Sequence, residues 1–301
     1  MFCFSYNDKY DIINAKEGVY MLPMIVIILF AIIFLGLMFI LNKGKNNIKH
    51  YLLIAVIGGI ISAFACLFVE QFSGFLLDTF FSEFYYYKNG YLYFETYLSM
   101  FLYSFIDCLI LTGLVEEGVK YLTVFSLTEK NQHRLYTYLE CVIPIILIGV
   151  VFAVIEDYLY IFEYETSGWI RASIFFGGHN AWSMLFGYFY YRYRVRTEVN
   201  NLYYQAKKKG IKLRYKMLNK RKPIYIGMLI VVLMHGIYNF ISYHFLAINV
   251  LKGILNVGLF VVLLIYTISS RKKNAKEDAL KYFVKMYPEY TEEQLKEMEI
   301  V

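Results

Sequence analysis

Seven stretches of this chain, each roughly 20 residues long, run with few charges, and that is the length needed to cross about 30 Å of hydrocarbon as a helix. They are about Val19–Leu41, Tyr51–Val69, Phe101–Leu127, Tyr138–Phe162, Arg171–Tyr191, Pro223–Tyr243 and Ile248–Ser269. Continuous runs of this kind exclude a β-barrel, whose strands alternate apolar and polar residues. Of all residues, 59% are hydrophobic and 20% aromatic, more apolar than a soluble domain sustains. The expected fold is therefore all-α, a polytopic membrane helical bundle of about seven transmembrane helices. The first run is too long for the core of a cleavable signal peptide and lacks a small-residue exit.

The net charge of +6 is unevenly placed. It concentrates in Arg192–Lys222, where 12 Lys and Arg face one acid, Glu198, and in Arg271–Lys285. Basic segments between membrane spans report topology, not nucleic-acid binding. The connections after the first, third, fifth and seventh runs are the basic ones. The expectation is an extracytoplasmic N-terminus over residues 1–18, a membrane domain over 19–270 and a cytoplasmic tail over 271–301. The segment Glu70–Leu98 reads as an acidic, aromatic-rich loop at the membrane interface, with an interfacial helix inside it as the alternative. In the tail, Thr291-Glu292-Glu293-Gln294 has the form of a capping box and predicts a short soluble helix. The four cysteines show no metal-ligand spacing and read as small buried hydrophobes. Gly58-Gly59 predicts a close helix contact in the second run.

Within this apolar background, Glu116, Glu117 and Lys120 are costly residues, since intramembrane charges are retained mainly for function. Glu116 and Lys120, four apart, share a helix face. Counted from the basic ends of their runs, Glu116, His179 and His235 lie about 11–12 residues in, hence at similar depth at 1.5 Å per residue. Glu156 joins them if its run effectively begins near Pro144. Four ionisable groups from four runs at one depth suggest a single polar site. Lys120 can compensate one carboxylate while the other serves as acid or base. His235 and Asn239, one turn apart, can direct donors at one oxygen. Tyr158 or Tyr160 could add a hydroxyl. Asp107, Glu140 and Asp157 read as structural, and Trp182 as packing beside His179.

The motifs resemble those of the PrsW-type intramembrane proteases, a family related to the type II CAAX prenyl endopeptidases. Glu116-Glu117-Gly118-Val119-Lys120 matches the family's Glu-Glu-x-x-Lys. Phe152-Ala153-Val154-Ile155-Glu156 matches Phe-x-x-x-Glu, a histidine in the next run is matched by His179, and His235-Gly236-Ile237-Tyr238-Asn239 matches His-x-x-x-Asn. Asp157 stands where such members usually carry Asn. The relatives among the prenyl endopeptidases have His at the place of Glu156. The resemblance covers about 101–243, which becomes the expected catalytic core.

What the resemblance implies is a multi-pass protease of the bacterial plasma membrane. It would hydrolyse a peptide bond of a membrane-anchored regulatory protein, such as an anti-sigma factor, within the lipid bilayer. Glu116 would be the base that activates water, helped by His179 or Glu156, with Glu117 orienting it and His235 and Asn239 stabilising the oxyanion. Glu116, Glu156, His179 and His235 are also plausible zinc ligands. No His-Glu-x-x-His helix supports that set, so the sequence favours a cofactor-free glutamate mechanism with zinc as the alternative. Two other classes fit the same residues: a proton-coupled transporter or ion pathway, and a non-catalytic, immunity-type membrane partner.

Overall fold

The computed structural model describes residues 13–41, 48–88, 91–128, 136–162, 178–214, 216–244 and 249–300. The chain forms helices α1 (Ile13–Leu41) and α2 (Ile48–Phe81), a hairpin β1 (Tyr85–Lys88) and β2 (Tyr91–Phe94), then α3 (Tyr97–Phe105). A π-helical segment (Ile106–Leu114) joins α3 to α4 (Val115–Thr128). There follow α5 (Tyr138–Phe162), α6 (His179–Lys208), α7 (Lys222–His244), α8 (Asn249–Ser269), α9 (Ala275–Met286) and α10 (Glu292–Glu297). The protein is an all-α polytopic membrane bundle. Among the described residues, five segments are long and apolar enough to cross a membrane: Met21–Met38, Ala55–Phe81, Tyr97–Ser126, Tyr138–Leu159 and Lys222–Ile241. A sixth apolar stretch, Gly253–Ser269, is shorter. Residues 171–177 of the expected fifth run lie outside the described residues, as do residues 1–12 of the N-terminus.

The bundle is built around α5, which is buried from Leu139 to Ala153 except for a few positions. Large side chains such as Ile33, Phe68, Phe80 and Val262 instead face outward. An apolar exterior of this extent belongs against lipid. Glycines set the closest helix approaches. A Cβ at Gly59 of α2 would stand 2.5 Å from Val151 Cβ of α5, so the close contact expected at Gly58-Gly59 is present. On α7, a Cβ at Gly236 would stand 2.7 Å from Leu109 Cα in the π-helical segment.

Three segments depart from expectation. First, α2 does not end at Val69 but continues twelve residues further, to Phe81. Glu70 faces the protein interior rather than opening a loop, and the Ser73 and Thr79 hydroxyls bond back to Val69 O and Phe75 O, each at 2.7–2.8 Å. Second, the remainder of Glu70–Leu98 holds a hairpin, not an interfacial helix. Tyr85 pairs with Phe94 and Tyr86 with Tyr93, and the Tyr86 and Tyr93 rings stack at 5.6 Å.

Third, the basic segment after Tyr191 is helix as far as Lys208. Arg194 and Glu198, four residues apart, pair at 3.1 Å. Gly210, at φ +81°, closes the helix with Ile211 N–H donating to Ala206 O at 3.1 Å. The tail docks on this extension. Tyr191 donates its hydroxyl to Asp278 Oδ2 at 2.7 Å, and Ala275 N–H donates to Tyr136 O at 2.7 Å. The capping box at Thr291 and Gln294 forms as expected and opens α10.

Gly236→Leu should be strongly destabilising, because the obstacle is Leu109 backbone and cannot yield. Thermal unfolding of detergent-purified protein should show a loss at or above the roughly 1–3 kcal/mol typical of overpacking. Gly258→Ala in α8, where a Cβ meets nothing within 4 Å, should leave the unfolding temperature unchanged or raise it.

Candidate active site

The site forms where α4, α5, α6 and α7 meet, and each side chain arrives by a local device. The π-helical segment ends at Leu114, immediately before Glu116 and Glu117, so its wider turn sets which way the first turn of α4 points them. Gly149 of α5 lies so close to Ser183 of α6 that any side chain there would collide. That approach brings His179, at the first turn of α6, onto Phe152 and Glu156, one turn apart on α5. His235 comes from the middle of α7. Glu116, Glu117, Lys120, His179 and His235 are all at most 4% exposed.

Glu117 is the hub. Its Oε1 lies 2.5 Å from Lys120 Nζ, 3.0 Å from His235 Nδ1 and 3.8 Å from His179 Nδ1. The sequence pattern paired Lys120 with Glu116; the structure pairs it with Glu117, because the three-residue spacing meets inside the cluster. Lys120 Nζ also approaches His179 Nδ1 at 3.0 Å and lies 4.3 Å above the Phe152 ring, a cation–π contact. His179 Nε2 is 2.5 Å from Glu156 Oε2. Phe152 therefore flanks both the ammonium and the His179 ring, 5.3 Å away, which gives the aromatic of Phe-x-x-x-Glu a physical role.

Donor chemistry assigns the tautomers. An ammonium only donates, so His179 Nδ1 accepts from Lys120, and its Nε2–H is directed at Glu156. The Glu117 carboxylate only accepts, so His235 Nδ1 carries the hydrogen and Nε2 keeps its lone pair. That lone pair faces Glu116 Oε2 across 3.9 Å. Glu116 Oε2 is buried without a hydrogen-bond partner among the described residues. Trp182 stacks on His235, with ring centroids 4.2 Å apart at 29°, and meets His179 edge-on at 5.2 Å. It thus braces both imidazoles, rather than His179 alone.

Other expected residues fall elsewhere. Asn239 lies one turn beyond His235 and is half-buried. Tyr158 is 51% exposed and points away from the site; the Tyr160 side chain lies outside the described residues. Glu140 is structural, accepting from Tyr136 and Thr137 N–H at 3.1 and 2.8 Å at the start of α5. Two residues that the sequence read as a small buried hydrophobe and the start of a loop border the site from α2. Cys66 Sγ lies 3.9 Å from Glu116 O, and Glu70 lies one turn further along α2 with its Oε1 buried. Their signal was the polar stripe Ser62, Cys66 and Glu70 at four-residue intervals in an apolar helix.

Glu116, Glu117, His179 and His235 each offer a ligand atom, all within 4.8 Å of one another. Two carboxylates and two imidazoles form a donor set suited to zinc. The unpartnered Glu116 Oε2 and the His235 Nε2 lone pair are close enough for two metal–ligand bonds of about 2.1 Å. The residues fit a divalent cation, with Lys120, paired to Glu117, as an orienting group beside them.

Residues 47–268 match the model of the PrsW family of intramembrane metalloproteases. The chain is also similar to Protease PrsW of Clostridioides difficile (strain 630), 28% identical over 153 residues. That alignment takes in 49% of this chain and 55% of the relative, so the chain spans about half the length of the curated relative it matches. No solved structure matches the chain.

Removing Lys120 should be costly independently of any activity. Lys120→Met leaves the buried Glu117 carboxylate without its cation, and loss of one partner of a buried pair costs about 3–5 kcal/mol. Thermal unfolding should show this loss. Combining it with Glu117→Gln should give a smaller deficit than the sum of the two single changes.

Proposed function

The chain belongs to the PrsW family of intramembrane metalloproteases, and we propose that it is itself an endopeptidase hydrolysing a peptide bond of a membrane-anchored protein by activated water. The observation that carries this is the pair of acceptors left facing each other in the interior, Glu116 Oε2 and His235 Nε2, 3.9 Å apart. Two acceptors at that separation can both take hydrogen bonds of about 2.8 Å from one water molecule. Glu116 is placed to take the water's proton and pass it to the leaving amine.

The rest of the cluster prepares those two groups. Glu117, compensated by Lys120, holds His235 in the tautomer that presents Nε2, and Trp182 fixes the plane of the ring. This makes His235 an acceptor at the water rather than the oxyanion donor first expected. The Asn239 amide, one turn along α7, remains the group suited to the oxyanion. Glu156 and Lys120 hold His179 by its two nitrogens. The burial of the cluster keeps competing water out and strengthens each polar contact.

A divalent cation such as zinc would be held by Glu116 and His235, with His179 and Glu117 completing the set, and when bound it would supply Lewis-acid polarisation and a more acidic water. His179 would ligate as a neutral imidazole through its unprotonated nitrogen, which in the tautomer set by Lys120 and Glu156 is Nδ1. The sequence favoured a metal-free mechanism. The family's description as metalloproteases and the Glu/His donor set support the metal reading instead.

The substrate follows from the site's setting inside an apolar bundle: a single-span membrane protein whose scissile bond reaches the buried cluster. The resemblance to PrsW-type proteases suggests a regulatory protein of the anti-sigma-factor kind. The basic connections support an orientation with the N-terminus outside and the docked tail in the cytoplasm of a bacterial cell.

Co-expression with tagged single-span membrane proteins should yield a cleaved product. Glu116→Ala and His235→Ala should each reduce cleavage by about 10²-fold or more, the scale of losing a positioned acid–base group. Lys209→Ala, on the surface far from the cluster, should cleave normally. Cleavage surviving Glu116→Ala would sink the protease reading, and Glu116-dependent proton flux in liposomes would point to an ion pathway instead. Elemental analysis of the purified protein should find a transition metal, lost together with activity on chelation.

A further inference from the structure

The glutamate pair and His235 stand on different helices. A hydrogen bond joins Glu117 to His235, but side chains of that length can follow a shift of the helices that carry them. On α4, a Cβ at Gly118 would meet only the flexible end of Met228 of α7, at 3.7 Å. The contact that fixes the backbone spacing lies just before α4, in the π-helical segment. A Cβ at Gly113 would stand 3.0 Å from Val232 O, 3.1 Å from Gly236 N and 3.2 Å from Cys108 O. From the side of α7, a Cβ at Gly236 would stand 2.7 Å from Leu109 Cα and 3.0 Å from Cys108 O. The two glycines thus meet at one crossing, and both border the Cys108 carbonyl.

That crossing is within one turn of both halves of the site. Gly113 lies three residues before Glu116. Val232 and Gly236 are one turn apart on α7, and His235 lies between them in the chain. The atoms in contact belong to the main chain, so they cannot rotate aside as a side chain can. One turn beyond Gly236, Phe240 packs against Phe101 and Phe105 of α3 at 5.2 and 6.2 Å and continues the same seam.

We infer that Gly113 is a positioning residue: by admitting the α7 backbone at Val232 and Gly236, it sets how far His235 stands from Glu116 and Glu117. For turnover the inference rests on the protease reading, but the spacing itself does not. Any side chain at position 113 must push α7 away by a few tenths of an ångström. Small misplacements of reacting groups are costly, about 10²-fold for 1 Å.

Two measurements test this. In cleavage of a tagged single-span reporter, Gly113→Ala should lower kcat by about 10-fold or more with KM little changed. The comparison is Gly59→Ala, whose neighbours Val151 and Ile148 belong to α5. It should lose unfolding temperature but keep kcat near wild type. A Gly113→Ala variant that turns over like Gly59→Ala overturns the inference. So does one that fails to fold where Gly59→Ala folds, since the contact is then structural. The second measurement needs no substrate. Trp182 stacks on His235 at 4.2 Å, and Trp169→Phe leaves it the only tryptophan of the chain. In that background Gly113→Ala should move the Trp182 emission from the wild-type value towards that of His235→Ala, and Gly59→Ala should not. Emission unchanged by Gly113→Ala overturns the inference. If the wild-type protein cleaves no reporter, the protease reading fails, and the emission alone decides on the spacing.

Discussion

The ion pair between Glu117 and Lys120 is the interaction on which the site depends. Neither group is tolerable alone in an apolar bundle, and neither is satisfied by the other alone. Glu117 also accepts from His235, and Lys120 also donates to His179 and lies over Phe152. Each imidazole therefore meets a fixed donor or acceptor, and each tautomer follows from that. One short pair in α4 thereby organises residues from three other helices. Glu116, its sequence neighbour, has its Oε2 without a hydrogen-bond partner among the described residues, 3.9 Å from His235 Nε2.

The scaffold serves this arrangement by bringing backbones unusually close. Gly149 admits Ser183 of α6, Gly236 admits the π-helical segment, and Gly59 admits Val151 of α5. Interhelical packing in a membrane gains little from burial of apolar surface, because lipid is as apolar as the partner helix. Close van der Waals approach and buried polar contacts take that place. The π-helical segment has the same logic: it sits in contact with α7 and ends just before the glutamate pair, so one distortion sets both a helix crossing and the direction of two carboxylates.

Much of this was legible before any fold was known, and the misses share a cause. The apolar runs located α5 and α7 to within a residue, because hydropathy over 20 residues reports membrane burial directly. It does not report where a helix stops. Tyr191 ends an apolar run and Val69 ends another, but backbone hydrogen bonding carries α6 on to Lys208 and α2 on to Phe81. Glu70 was misplaced for the same reason: an acid after an apolar run looks like the start of a loop. Only the path of α2 beside α4 shows that it faces the interior.

By itself, then, the sequence determined the membrane-bundle class, the ionisable groups held at a common depth and the motif order that resembles PrsW-type proteases. These depend on composition and on helical rise, which are local properties of the chain. The tertiary structure decided which atoms meet. Lys120 could have compensated either glutamate, and only the crossing of α4 with α6 and α7 selects Glu117. The two glutamates are adjacent in sequence and identical in chemistry. What separates them is a difference of about 100° around a helix, and that difference acquires meaning only when the neighbouring helices are in place.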